Sequence, residues 1–360
     1  MITRAPGFGD AYSDPELSVI AAQALAGGDM RAAADALGPG TIVTPMYQPE
    51  ILDMVRRRGI WGQRIKNVPA TGHPSRYFEQ TRIVRGVFQD PRNLSYQPGQ
   101  DPTRRERYVM VKAIYGSLNF TLFDVEVTRQ QGQFGQLVAK DIEDMVMGTL
   151  GTSDIALWNG NDTSLVLPTT LEYVGALTQI NRTASIASSA SIVDGLKAEV
   201  ASLQSQMQFQ VNPTAIYVNP VLGDLIDAEE RGNQRQIPMT QINTVTGGLT
   251  VRGLATGNGM IPLIQDAYLQ NGVAGASATE TGKTDYTAVI LTESLCEYHY
   301  ITAYEPRVFQ LGLEGSLATR YVCVMFGAPI YKGVANSTQS QGVVETNLIT
   351  YAHSRVTVTK

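Results

Sequence analysis

Apolar positions recur most regularly between Asp124 and Asn161. There Phe134, Leu137, Val138, Ile142, Met145, Val146 and Leu150 follow the three- and four-residue spacing of one helix face. The spacing predicts a helix over about 128–150, on the order of 35 Å long at ~1.5 Å per residue. Glu143 and Asp144 fall on its solvated side, whereas Asp141 lies within the apolar stripe and needs a partner if buried. Leu157 and Trp158 then lead into the turn string Asn159-Gly160-Asn161-Asp162.

Before this helix the pattern predicts short helices. Asp14-Pro15-Glu16 starts one that Gly27-Gly28 stops, and Pro49-Glu50 starts another that ends on Arg56-Arg57-Arg58-Gly59. Residues 75–89 and 107–123 read as two extended strands, the second alternating at Leu118, Phe120 and Leu122. The polar, turn-rich stretch between them predicts a long hairpin with no core of its own.

Beyond Asn161 the order is helix, strand, helix. Ser191 to Asp194 has the form of a capping box ahead of the stripe Ile192, Leu196, Val200, Leu203, Met207. Ala215 to Val218 is a short apolar strand, and Asn219-Pro220 opens a helix bearing Val221, Leu222, Leu225 and Ile226. Strands at 260–263 and 287–292 complete an α/β unit. The tail from Tyr298 to Tyr331 is strand-like and needs a partner already in place, which the first unit supplies if the chain returns to it near residue 300.

Composition narrows the function. The 360 residues suffice for two or three cores, and a net charge of -5 argues against a surface that is a nucleic-acid footprint throughout. Charge is unevenly placed, however. From Arg56 to Arg107 twelve basic residues face four acidic ones, a balance of +8 that leaves -13 on the rest of the chain. A basic projecting hairpin on an acidic body attracts another copy of itself. Two cysteines, Cys296 and Cys323, exclude a disulfide framework, and no secretory signal or membrane-length apolar run is present.

Catalytic signatures fail on spacing. Thr281-Gly282-Lys283-Thr284 ends like a phosphate-binding loop, but Ser277 stands where the first glycine belongs. Gly257-Asn258-Gly259 has Pro262 in place of a third glycine. Cys296 and His299 could approach a metal or form a thiolate pair, yet two ligands do not make a zinc site, and a satisfied strand histidine is the simpler reading. Asp141 is better read as a salt-bridge partner than as an acid-base group. Arg104-Arg105-Glu106-Arg107 lacks interleaved aromatics and suits a protein interface better than a phosphate backbone. Nothing calls for a cofactor.

The order of elements resembles the major capsid protein of tailed bacteriophages, the Hong Kong 97-like fold shared with encapsulins, over nearly the whole chain. Ala156 to Asn161 is similar to the family's apolar-Asn-Gly-Asp turn after its long helix, and Asn212 to Ala215 with Val218-Asn219-Pro220 to its axial-domain strand and turn. The resemblance implies an α+β architecture: an N-terminal arm over 1–45, a peripheral domain from 46–69 and 119–164 with the spine helix, an extended two-stranded loop over 70–118, an α/β axial domain over 165–300, and a return to the peripheral domain over 301–360. It implies a structural protein, not an enzyme, assembling as hexamers and pentamers into an icosahedral shell around viral double-stranded DNA. An encapsulin-like compartment or an enzyme using Gly282-Lys283-Thr284 is the alternative. Partners would be other copies, weakly bound DNA, and portal, scaffolding and decoration proteins, in a virion assembled in a bacterial cytoplasm. Arg92, Arg104, Arg105, Arg107, Asp141, Glu143 and Asp144 are the candidate subunit-interface residues. The loop's single lysine, Lys112, lies at its base, so no lysine cross-link is carried over.

Overall fold

The computed structural model describes residues 58–92, 99, 101–121, 123, 137–206, 209–232, 242–243, 250–257, 259–270, 285–301, 306–314, 318–336 and 348–359. The predicted arm over 1–45 and the Gly282-Lys283-Thr284 loop lie outside them. In chain order the elements are α1 (Ile60–Arg64), β1 (Lys66–Pro69), β2 (Ser75–Arg82), β3 (Thr103–Val109), β4 (Lys112–Thr121), α2 (Leu137–Asn159), α3 (Ala176–Gln179), β5 (Thr183–Ile186), α4 (Ile192–Gln204), β6 (Ala215–Val218) and α5 (Pro220–Gly232). There follow β7 (Ile242–Asn243), β8 (Thr250–Thr256), β9 (Gly259–Gln265), β10 (Asp285–Leu291), β11 (Cys296–Tyr300), β12 (Arg307–Glu314), β13 (Ala318–Tyr331), β14 (Val334–Asn336), β15 (Leu348–Thr350) and β16 (Ser354–Thr359).

Two sheets organise the described residues. In the first, β13 is the central strand: β4 runs along one side of it, β12 and β11 pair with the other, and β1 adds to β11 in parallel. The second has the order β5-β16-β10-β6-β9-β8-β7. Helix α2 packs over β4 and β13. At Gly116 of β4 a Cβ would lie 2.9 Å from Thr149 Oγ1, so a side chain there would press on the helix.

The helix runs on to Asn159 instead of stopping near Leu150. Gly148 and Gly151 each weaken a helix by about 1 kcal/mol, but Leu157 and Trp158 continue the Leu150 face and are fully buried, and that packing carries the helix through.

The predicted pairing of 75–89 with 107–123 is corrected. β2 pairs with β3, with Ser75 opposite Val109, and the chain then turns at Met110 so that β4 joins β13. The second stretch is therefore two strands in different sheets. The apolar alternation of β4 reflects its contact with α2 and β13, which a hairpin alone would not supply.

The tail is corrected too. It enters the first sheet at β11, but its last strand, β16, lies between β5 and β10 of the second. Val356 and Val358 fill that core, with Ile186, Ile216 and Ile290. In α4, Ser191 Oγ accepts from the Asp194 amide at 3.2 Å, and Ile192, Leu196, Val200 and Leu203 are buried. Asn219 Oδ1 accepts from the Val221 amide at 3.0 Å and starts α5.

The sheets meet at the C-terminal end of α2. Trp61, Trp158, Tyr217 and Tyr331 form an aromatic cluster with ring centroids 5.1–6.3 Å apart. Asp266 is buried beneath it, and its Oδ2 accepts from the Trp61 amide at 2.9 Å and from Trp158 Nε1 at 3.2 Å. Beside them, Arg64 grips Glu293 with Nε at 2.9 Å and Nη2 at 3.1 Å, and the Tyr217 hydroxyl donates to the same carboxylate at 2.6 Å.

Candidate subunit interface

The root of the β2–β3 hairpin is anchored in the first sheet. Tyr77 and Val109 pack on Ala328 and Ile330. Glu79 accepts from Arg107 Nε at 2.6 Å and from the Gly333 amide at 2.8 Å, with both charged side chains buried. Ser75 Oγ lies 2.8 Å from His299 Nδ1, and His299 Nε2 lies 3.1 Å from Glu297 Oε2. Lys332 Nζ is 2.5 Å from the same carboxylate. Burial lowers the His299 pKa against the pull of Glu297. Burial raises Glu297, but the Lys332 and His299 bonds outweigh it and hold the carboxyl below its ordinary value.

Beyond this root the character changes. Residues 83–90 form neither helix nor strand, and Ile83, Val84, Val87 and Phe88 are exposed, Phe88 completely at 104%. Phe78, on the outer face of β2, is exposed as well. An anchored root carrying an uncovered apolar stripe is an element that requires a partner surface.

The candidate charges divide. Arg107 is buried in its in-chain pair with Glu79, so it serves the hairpin root and is not available to a neighbour. Arg104 is exposed on β3, and Arg105 stands opposite Glu79 in the strand register. Arg92 is exposed in a turn, its amide donating to Asp90 Oδ1 at 2.9 Å. Glu143 and Asp144 are exposed on α2, with Lys140 Nζ 3.4 Å from Asp144. Asp141 is half-buried and has no ion pair among the described residues. The buried, paired acid of α2 is instead Asp154, which accepts from Arg58 Nε at 2.9 Å and the Gly59 amide at 2.8 Å. Burial raises its carboxyl pKa against those donors. A Cβ at Gly62 would fall 1.8 Å from Asp154 Oδ1, so glycine is what lets α1 approach.

The suggested Cys296–His299 pairing does not form. Residues three apart on a strand point to opposite faces. Cys296 Sγ lies 4.0 Å from His353 Nε2, and burial raises the thiol pKa. His353 accepts from the Thr292 amide at 3.2 Å and donates from Nε2 to the Lys332 carbonyl at 2.7 Å, and burial pushes its pKa down to about 4. The Ser75–His299–Glu297 chain has the composition of a hydrolase relay, but Ser75 is 0% exposed, so no substrate reaches its hydroxyl. Among the described residues no group of three or more His, Cys, Asp or Glu could hold a metal, and no helix is long and apolar enough to cross a membrane.

No protein-family model and no curated protein matches the sequence. Solved structures do match. A chain from Gordonia phage Cozz superposes with a TM-score of 0.58 at 15% identity over 93% of this chain and 94% of that one. A chain from the head of Helicobacter pylori bacteriophage KHP40 gives 0.58 at 9% identity, covering 89% and 95%. One from the capsid of Myoviridae phage XM1 gives 0.54 at 8%, covering 89% and 99%. The chain has the Hong Kong 97-like capsid fold.

Sequence reasoning missed Glu79, Asp154 and Asp266. Each acid reads as a surface residue, and its partner is distant in sequence. The one legible signal was glycine at Gly62, which needs the fold to become meaningful.

Proposed function

We propose that the chain is the major capsid protein of a tailed phage, a structural and non-enzymatic subunit that assembles as hexamers and pentamers into an icosahedral shell around double-stranded DNA. The observation that carries this is the exposed apolar stripe Ile83, Val84, Val87 and Phe88 on a loop whose root is clamped by Glu79, Arg107 and Gly333. A monomer has no use for such a stripe, and a shell needs one on every subunit. The likeness in fold to chains of phage heads and capsids supports the same reading.

The loop lies over the spine-helix domain of the next subunit, with Arg92, Arg104 and Arg105 facing acids such as Glu143 and Asp144 there. Area drives the association and charge sets its register. The arm over 1–45 adds further contacts, and the domain over 165–300 surrounds the local symmetry axis. Packaged DNA is bound weakly and without sequence preference, and portal, scaffolding and decoration proteins are the remaining partners. Assembly takes place in the cytoplasm of a bacterial host, and the mature protein resides in the virion.

Negative-stain microscopy of the purified protein across a range of salt tests this. Uniform shells or six-membered rings are expected, and a monomer at every ionic strength would sink the proposal.

A further inference from the structure

One peptide unit joins the root of the β2–β3 hairpin to the last strand of the second sheet. It lies between Lys332 and Gly333. Its N–H, on Gly333, donates to Glu79 Oε1 at 2.8 Å, and its C=O, on Lys332, accepts from His353 Nε2 at 2.7 Å. The two groups of a trans peptide point in opposite directions, so the unit carries a hydrogen-bond chain from His353 through to Glu79 and on to Arg107. The next carbonyl, that of Gly333, accepts from the Tyr351 amide at 2.9 Å. Gly333 has a φ of +101°, in the left-handed region, and a Cβ there would collide with Ala352. Glycine is what lets residues 351–353 lie against this turn.

Tyr351 to His353 are in turn fixed by the second sheet. They lead directly into β16, and Ala352 and His353 are fully buried. At the end of β10 the Thr292 hydroxyl donates to the Ala352 carbonyl at 2.9 Å, and the Thr292 amide donates to His353 Nδ1 at 3.2 Å. The Tyr351 ring stacks on Phe209, just beyond α4, with centroids 3.8 Å apart. Its hydroxyl also feels the hairpin root: burial pushes its pKa up to about 12, with the Glu79 charge adding to the rise and Arg107 opposing it. Lys332 holds the root a second time, with Nζ on Glu297 and 5.6 Å from the centroid of the Tyr77 ring. Without the His353 donor the peptide unit can rotate. Rotation takes the Gly333 amide away from Glu79, a buried carboxylate for which a lost donor is costly.

We infer that Tyr351 to His353 form a latch for the β2–β3 hairpin: by fixing the Lys332–Gly333 peptide they hold the Glu79–Arg107 clamp closed, so the set of the hairpin depends on the docking of β16. The coupling is reciprocal, because a contact that stabilises one end stabilises the other by the same factor. It is a property of the single subunit and goes beyond the proposed shell function. The latch can therefore fail while that function stands.

Two substitutions at one residue test it. Asparagine sets an acceptor near the position of Nδ1 and glutamine a donor near that of Nε2, so His353→Asn removes the bond to Lys332 and His353→Gln retains it. In the isolated full chain at neutral pH, amides of β2, β3 and Gly333 should exchange about tenfold faster in His353→Asn than in wild type. His353→Gln should restore the slow exchange, and amides of α4 and β6 should not change in either variant. Hairpin amides that are unchanged in His353→Asn, or equally fast in both variants, overturn the latch. The unmodified chain gives a second reading that does not depend on a variant that folds. In mild urea the amides of Gly333, Tyr351 and the hairpin root should open together, with one dependence on urea, and separate openings overturn the inference.

Discussion

Glu79 Oε2 and Arg107 Nε are 2.6 Å apart, and the two side chains retain only 5% and 6% of their exposure. Removing one partner of a buried pair leaves the other charge unpaired, which typically destabilises by about 3–5 kcal/mol. Arg107→Ala should therefore lower the midpoint of urea unfolding markedly, and Glu79→Gln should do so as well, because the Gly333 amide also loses a charged acceptor. Replacing both residues with leucine should be much milder. Equal losses in the single and double variants would contradict the pairing.

Arg104→Glu, at an exposed position of β3, should act differently. The expected result is a folded monomer, with stability changed by no more than about 0.5 kcal/mol as is usual for surface sites, and a reduced shell yield. Arg107→Glu should fail by unfolding, so circular dichroism beside sedimentation separates the two classes.

Phe88→Asp should abolish or strongly reduce assembly without moving the thermal midpoint of the isolated subunit, because its ring is fully exposed. A loss of stability in the monomer would show that the ring is covered.

Gly62→Ala should destabilise by about 1–3 kcal/mol, the usual range for overpacking. The new methyl group meets Asp154 Oδ1, and that carboxylate is already fixed by Arg58 and the Gly59 amide. Denaturant unfolding checks it, and Gly148→Ala, with open space around its Cβ, serves as the contrasting substitution that should be neutral or stabilising.

Acid should weaken the fold through His353. Its pKa is about 4 in the folded chain against 6.5 unfolded, so the unfolded state takes up a proton first as pH falls. Stability present above pH 6.5 is lost progressively down to pH 4, by on the order of 3 kcal/mol in total. His299, also lowered, adds in the same direction. Urea midpoints at pH 7.5, 6 and 5 should fall in sequence, and His353→Gln should flatten the slope.

The sequence displayed the parts of this fold whose signal is local. The middle of α2 carries its stripe in consecutive turns, and the apolar run within β13 announces a central strand. Signals that depend on distant partners were silent. The end of α2 could not be read past Gly148 and Gly151, because burial of Trp158 against Trp61 is what holds it. β16 reads Ser-Arg-Val-Thr-Val-Thr, too short and polar to stand out until β5 and β10 flank it. Among the candidate interface residues, Arg92 and Arg104 are as exposed as their charge suggests, whereas Arg107 was indistinguishable in sequence from its neighbours because its partner is set by strand register.

The position of β16 between β5 and β10 sets when the second sheet can be completed during synthesis. Arg355 emerges 172 residues after its partner Thr183. At ~5–20 residues per second, that is a delay of roughly 10 to 30 s. From the synthesis of β10 until then the second sheet is split, with the inner edges of β5 and β10 bare. A nascent chain is thus unable to close its second sheet until β16 has emerged.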